Sequence, residues 1–286
     1  MPRLLIAGCG YLGQAVADLF LEADWQVEGW TMSPESAKRL RTRAYSVRAV
    51  DISNQDDVRA QAGNFDTVLH LASTRGGDSD SYREVYLNGV RNLLDRFGTS
   101  KILFTSSTSV YPQKSGEWVT EESAAEPKPE TGRILREAED LVRAKNGVVI
   151  RLAGIYGPGR SALLTKFLGG EAILDLENDR FVNEIHRDDA AAAIQLLMTR
   201  QNSLGQVYNV VDNEPLLLSE CYRWLAARLN RPLPPIGRST AKRKRGESNK
   251  RVGNAKLRAI GWTPHYPSFA AGMEKSVLPS FHLGAT

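Results

Sequence analysis

Short apolar runs alternate with amphipathic stretches through the first half of the chain. Leu4–Ala7, Gln26–Thr31, Tyr45–Val50, Asp66–Leu71, Lys101–Ser106 and Val148–Leu152 read as strands. Between them, Leu12–Ala23 and Tyr82–Phe97 carry apolar residues at helical spacing. Strand–helix alternation of this kind predicts an α/β fold, a doubly wound parallel sheet covered by helices on both faces. Runs such as Lys101-Ile-Leu-Phe-Thr lack a polar face because short parallel strands are buried on both sides. The second half is less regular. Gly154–Gly159 reads as a loop, Val207–Val211 as a late strand and Leu218–Leu229 as a helix. The pair Asp188-Asp189 predicts the N-cap of an alanine-rich helix running to Met198, since a carboxylate there accepts from free backbone N–H groups.

A length of 286 residues allows a Rossmann-type core with a smaller second region. Hydrophobic content of 42% and charged content of 24% are ordinary for a globular protein, so composition alone excludes little. The two cysteines, Cys9 and Cys221, lie far apart and suggest neither a disulfide framework nor a zinc site, which fits a reducing, cytoplasmic setting. No stretch is apolar enough to cross a membrane, and the apolar N-terminus runs straight into a glycine motif, as a first strand would.

That motif, Gly8-Cys9-Gly10-Tyr11-Leu12-Gly13, matches Gly-x-Gly-x-x-Gly and sits between a predicted strand and a predicted helix. In a dinucleotide site the first glycine permits the turn and the second admits a pyrophosphate. The third lets helix and strand approach, and the helix N-terminus favours the anion. The plainer alternative is that the glycines serve a turn only. The second strand ends Gly29-Trp30-Thr31-Met32-Ser33, without the carboxylate that binds a ribose 2′-hydroxyl and without an arginine for a 2′-phosphate. Ser33, Lys38 and Arg39 supply donors and positive charge nearby, so NADP(H) is favoured over NAD(H), chiefly by the absence of repulsion.

Further along stand Ser106-Ser107-Thr108-Ser109-Val110-Tyr111-Pro112 and Pro129-Glu130-Thr131-Gly132-Arg133-Ile134-Leu135-Arg136-Glu137-Ala138-Glu139. These segments resemble the active-site region of an extended short-chain dehydrogenase/reductase of the NAD-dependent epimerase/dehydratase family. The family reads Ser-Ser-x-x-Val-Tyr-Gly, then Pro-Tyr-Gly-x-Ser-Lys-x-x-x-Glu. Aligned on the glycine and the final glutamate, Thr131 stands where the catalytic Tyr belongs and Leu135 where the Lys belongs. The resemblance implies the family's scaffold without its acid/base pair, an atypical member. An aliphatic hydroxyl is a far weaker acid than a phenol, and Leu135 offers no cation to assist it. By register, Ser107 takes the role of binding the reacting oxygen, with Ser106 as the alternative. Tyr111 keeps a phenol beside the substrate position and is the first candidate for a relocated acid; the alternative is a structural hydrogen bond. Arg133 is a second candidate.

The same resemblance extends over nearly the whole chain. Asp51-Ile52 corresponds to a pair that contacts adenine, and His70-Leu71-Ala72-Ser73 to a segment lining the cofactor, which adds Asp51, Ile52, Leu71, Ala72 and Ser73 to the glycine loop and Ser33. Asn88–Leu93 resembles a helix carrying a structural Asn. Arg151–Gly159 and Asn183–Asp189 resemble substrate-side elements, with His186 read as a packed histidine more than a catalytic one. It implies a core of residues 1–155 plus about 184–211, and a substrate-binding region of about 156–183 plus 212–286. Arg243-Lys244-Arg245-Gly246-Glu247 resembles a segment whose arginine grips a substrate diphosphate, so Arg243 and Arg245 are candidate substrate residues. The basic run 238–251 reads otherwise as a solvated loop; without interleaved aromatics, nucleic acid is a remote partner. Family enzymes often pair as homodimers, although these helices carry no pattern diagnostic of it. Two functions stay open: an oxidoreductase or epimerase-like enzyme on an anionic substrate such as a nucleotide sugar, or a non-catalytic NADP(H) sensor.

Overall fold

In the computed structural model, which describes residues 1–74, 76–238 and 248–281, seven parallel strands form the central sheet. They are β1 (Arg3–Ala7), β2 (Gln26–Thr31), β3 (Ser46–Ala49), β4 (Thr67–His70), β5 (Lys101–Ser107), β6 (Val148–Leu152) and β7 (Val207–Val210). Their order across the sheet is β3-β2-β1-β4-β5-β6-β7. The order reverses between β1 and β4, and there the connecting loops diverge and open a crevice at the strands' carboxyl ends. Leu4, Leu5, Ile6, Val68, Leu69, Leu103 and Phe104 are fully buried, as strands covered on both faces require.

Helix Tyr11–Glu22 buries Leu12, Val16, Ala17 and Phe20, the spacing of a single apolar stripe. It packs against helix Arg187–Thr199, which presents Ala190, Ala191, Ala193, Ile194 and Leu197. The alanines allow the two backbones to approach, and Gln195 donates from Nε2 to the Leu19 carbonyl at 2.8 Å. The predicted helix at Tyr82 begins earlier, at Ser79, because Asp78 caps it by accepting from the Ser81 amide at 3.0 Å. It passes through a π-helical stretch, Arg83–Asn88, before continuing as Gly89–Phe97.

A second apolar cluster gathers residues of helices Ala162–Leu168 and Leu218–Leu229 with Tyr156, Phe269, Met273 and Val277. Three small strand pairs connect the parts: Gly154–Tyr156 with Glu184–His186, Phe181–Val182 with Leu216–Leu217, and Trp118–Val119 with Arg251–Val252. Cys9 and Cys221 are buried free thiols in separate clusters. Among the described residues, no helix is long and apolar enough to cross a membrane.

The cap of helix Arg187–Thr199 differs from the expected one. His186, not the Asp188-Asp189 pair, is the N-cap, its Nδ1 accepting from the Asp188 amide at 3.2 Å. Asp189 is turned inward and accepts from the backbone amides of His265 and Tyr266 at 2.6 and 2.9 Å. An amide pair that would otherwise be left buried and unpaired outcompetes the helix terminus for that carboxylate. The His186 ring packs against Tyr266 at 3.8 Å and edge-on against Tyr156 at 5.4 Å, and its Nε2 shares a hydrogen bond of 2.9 Å with Ser276. It is the packed histidine expected from the sequence.

Burial holds the His186 imidazole neutral and pushes its pKa down to about 4, against the opposing pull of Asp188. A base depressed on folding contributes stability that is fully present above its unfolded value of 6.5 and is lost as pH falls through about 4. His186→Asn keeps a capping acceptor but cannot titrate. Denaturant melts should therefore show the wild type losing stability relative to this variant between those two pH values; parallel profiles would refute the assignment.

Candidate dinucleotide and substrate site

The glycine loop lies at the crevice between β1 and β4. Gly8 has φ +105°, and a Cβ there would fall 2.2 Å from the Ala72 amide nitrogen, so β1 and β4 meet at this point only through an absent side chain. A Cβ on Gly13 would sit 2.6 Å from the Gly8 carbonyl oxygen. Gly10 is different: a Cβ there meets no protein atom within 4 Å. Two glycines thus close the loop, and the third faces open space at the start of helix Tyr11–Glu22, a cradle that fits a pyrophosphate. Leu12 is buried and belongs to the core. Tyr11 reaches across the crevice and donates from its hydroxyl to the Pro158 carbonyl at 3.0 Å. The guanidinium carbons of Arg160 and Arg187 lie 5.1 and 5.0 Å from the Tyr11 ring centroid.

Beyond β2, Met32 is exposed and Ser33 caps the short helix Pro34–Arg39, accepting from the Ser36 amide at 3.3 Å. Arg39 donates to Ser36 Oγ at 2.8 Å, which brings its charge to this corner. Beyond β3, Asp51 accepts from both the amide and the hydroxyl of Ser53, at 2.9 and 2.7 Å. Asn92 donates to the carbonyls of Ile52 and Ser53 at 2.9 and 3.1 Å, so the side chain that fixes this loop comes from the helix Gly89–Phe97. Ala72 abuts Gly8, and Ser73 accepts from the Tyr86 hydroxyl at 3.3 Å.

At the end of β5 the two serines separate by burial. Ser106 is buried and donates to Glu139 at 2.6 Å, whereas Ser107 is half-buried and accepts from the Ser109 amide at 3.2 Å. Thr131 is half-buried in the first turn of helix Glu130–Ala144, while Leu135 is 2% exposed and belongs to the core. Arg133 is exposed and donates to the Lys128 carbonyl at 2.8 Å. Tyr111 is 0% exposed. Its hydroxyl donates to Asn209 Oδ1 at 2.8 Å and accepts from Arg151 at 2.9 Å. Burial raises its pKa against the pull of Arg151. A phenol without exposed surface and with both hydrogen-bonding directions taken is a strut, so the geometry favours the structural alternative over a relocated acid.

The basic run ends differently from a solvated loop. Lys250 is 4% exposed, donates from Nζ to the Tyr111 carbonyl at 3.0 Å and to Ser248 Oγ at 2.9 Å, and is pushed down to about 8 by burial. The Arg251 guanidinium lies between the rings of Trp118 and Phe181, at 5.2 and 4.9 Å. No periodicity marks a buried lysine in such a run; only the pairing of Trp118–Val119 with Arg251–Val252 draws it inward. Arg160 and Arg187 were likewise invisible, since nothing in their spacing places them on Tyr11. Arg243 and Arg245 lie outside the described residues.

A doubly wound sheet, a glycine loop at its switch point and a Ser-Ser-x-x-Val-Tyr corner define a Rossmann-type fold of the short-chain dehydrogenase/reductase kind. The model of the NAD dependent epimerase/dehydratase family matches residues 4–210, and the chain belongs to that family. Protein YeeZ of Escherichia coli (strain K12) is 32% identical over 221 residues, covering 73% of this chain and 77% of that protein. A functionally unknown conserved protein from Silicibacter pomeroyi has a similar structure, with TM-score 0.77 and 25% identity over 96% of this chain and 97% of its own. The UDP-glucose 4-epimerase of Thermus thermophilus, in complex with NAD, shares the fold at TM-score 0.82 and 20% identity, covering 99% of this chain and 100% of that one.

Two variants separate ligand contact from support. Gly10→Glu should leave the melting temperature within a few degrees of wild type, because the side chain enters open space, yet abolish dinucleotide binding by bulk and charge; unchanged binding would sink the cradle assignment. Tyr111→Phe leaves Arg151 and Asn209 each short of a partner and should cost about 1–3 kcal/mol of stability while dinucleotide affinity stays as it was. A stable Tyr111→Phe protein with impaired turnover would restore the tyrosine as an acid.

Proposed function

We propose that this protein is an NADP(H)-binding oxidoreductase-like member of its family, acting on an anionic small molecule of the nucleotide-sugar class without the usual Tyr-Lys pair. The observation that carries the reading is the cradle: Gly8 and Gly13 are held against backbone while Gly10 alone faces open space. Preference for the 2′-phosphorylated dinucleotide rests on the missing carboxylate at Thr31–Ser33 and on Arg39 beside Ser36. When bound, the dinucleotide supplies or takes up hydride. In this reading Ser107, the less buried of the two serines, holds the reacting oxygen, and Thr131 serves as a hydrogen-bond donor more than an acid. In the same reading, residues of about 156–183 and 212–286 form the substrate side, with Arg243 and Arg245 as anion contacts and a homodimer as a candidate assembly.

A second reading, a non-catalytic NADP(H) sensor, is favoured by one specific observation. Leu135 is packed into the core and Tyr111 is sealed, so neither the lost cation nor a substitute phenol faces the crevice. Titration with NADPH, NADP, NADH and NAD tests both readings. The 2′-phosphorylated pair should bind about tenfold or more tightly than the other pair, a difference of about 1.4 kcal/mol. Similar affinity for NADPH and NADP supports an enzyme, and strong preference for one redox form supports a sensor. Absence of binding by all four would reject both.

A further inference from the structure

Resting on the dinucleotide reading, we infer that Arg160 grips the diphosphate of the bound dinucleotide, held in place by Tyr11 of the glycine loop. The turn Gly157–Arg160 is closed by two reciprocal backbone hydrogen bonds, Gly157 N–H to the Arg160 carbonyl at 2.9 Å and Arg160 N–H to the Gly157 carbonyl at 3.0 Å. It is pressed onto Tyr11: a Cβ on Gly157 would lie 2.7 Å from the Tyr11 hydroxyl, which itself donates to the Pro158 carbonyl. Ser280 holds the outer side of the turn, accepting from the Gly159 amide at 2.9 Å. The turn is thereby fixed relative to the cradle, and its one cation is delivered to the ring of the residue that follows Gly10.

The charges at this ring are unbalanced. Arg187 is paired through Nε with Asp188 at 2.7 Å. Among the described residues, Arg160 has no carboxylate within ion-pairing distance, and its guanidinium is positioned by the Tyr11 ring face alone. An aromatic face orients a guanidinium without neutralising it or using its N–H donors. With Arg187 already paired, the net positive charge at this ring is that of Arg160, and an anion beside it balances that charge. The backbone of Tyr11 opens the helix on the same side as the cradle, where a pyrophosphate is expected, and a planar fork matches paired phosphate oxygens. The same chemistry could come from the diphosphate of a nucleotide-sugar substrate, and the probes below distinguish the two sources.

The test uses the full-length protein, its Arg160→Gln and Arg160→Lys variants, and three probes. NADPH carries the bridging diphosphate, adenosine 2′-monophosphate carries the adenosine end without either of that bridge's phosphates, and UDP-glucose carries a substrate-type diphosphate. Arg160→Gln should weaken NADPH binding by about tenfold or more, in keeping with loss of a charge-assisted contact, and flatten its salt dependence. The 2′-monophosphate should lose less than about twofold, and NADPH binding by Arg160→Lys should fall between, since lysine keeps charge but not the fork. Equal NADPH affinity in wild type and Arg160→Gln would overturn the inference, whether or not a UDP-sugar binds more weakly to the variant. Equal losses for NADPH and the 2′-monophosphate would overturn it as well, by removing the diphosphate as the contact. A wild type that binds no dinucleotide would instead reject the functional reading on which the inference rests.

Discussion

The buried ion pair between Glu139 and Arg151 fixes the geometry of everything at the carboxyl ends of β5 and β6. Glu139 is fully buried on helix Glu130–Ala144, and Arg151 lies on β6 with almost no exposed surface. They meet at 2.8 Å, and each recruits further partners: Ser106 and Arg136 on the carboxylate, Tyr111 on the guanidinium. Tyr111 passes the connection to Asn209 on β7, whose amide is in turn capped by Glu121. Removing one partner of such a pair typically costs about 3–5 kcal/mol, because the other charge is left buried alone. The network joins three strands, one helix and the loop bearing Tyr111. That explains how the corner keeps its form after its acid/base residues have been replaced.

The replacement itself follows the burial pattern. Position 135 faces the core on the helix that also carries Ile134, Ala138 and Val142 inward, and a leucine there adds to the packing. A lysine at that position has to reach out of the apolar layer toward the crevice. A leucine there instead adds apolar burial worth about 1.5–3 kcal/mol. The position is thus fitted for packing rather than for orienting a cofactor or lowering a phenol pKa.

Much of the fold was legible because buried parallel strands and amphipathic helices leave distinct periods in the chain. All seven sheet strands fall within a residue or two of runs such as Lys101–Ser106 and Val148–Leu152. The glycine motif was legible because turn, cradle and close packing each demand a missing side chain. What could not be read were contacts between distant segments. The cap at His186 depends on where Asp189 finds His265 and Tyr266, and the burial of Lys250 depends on Arg251–Val252 pairing with Trp118–Val119. The resemblance located Tyr111 in the right motif, but only three-dimensional neighbours reveal that its hydroxyl is fully committed.

The three glycines of the cradle answer to different constraints, and their histories should diverge accordingly. Gly8 and Gly13 are pinned by backbone atoms of the fold itself, so any descendant that still folds this way must keep them. Gly10 is free of that demand; only an occupant of the crevice forbids a side chain there. If the crevice holds the dinucleotide proposed above, its identity records use rather than architecture. Lineages that abandoned the dinucleotide would be expected to let this one position wander while its two neighbours stand still.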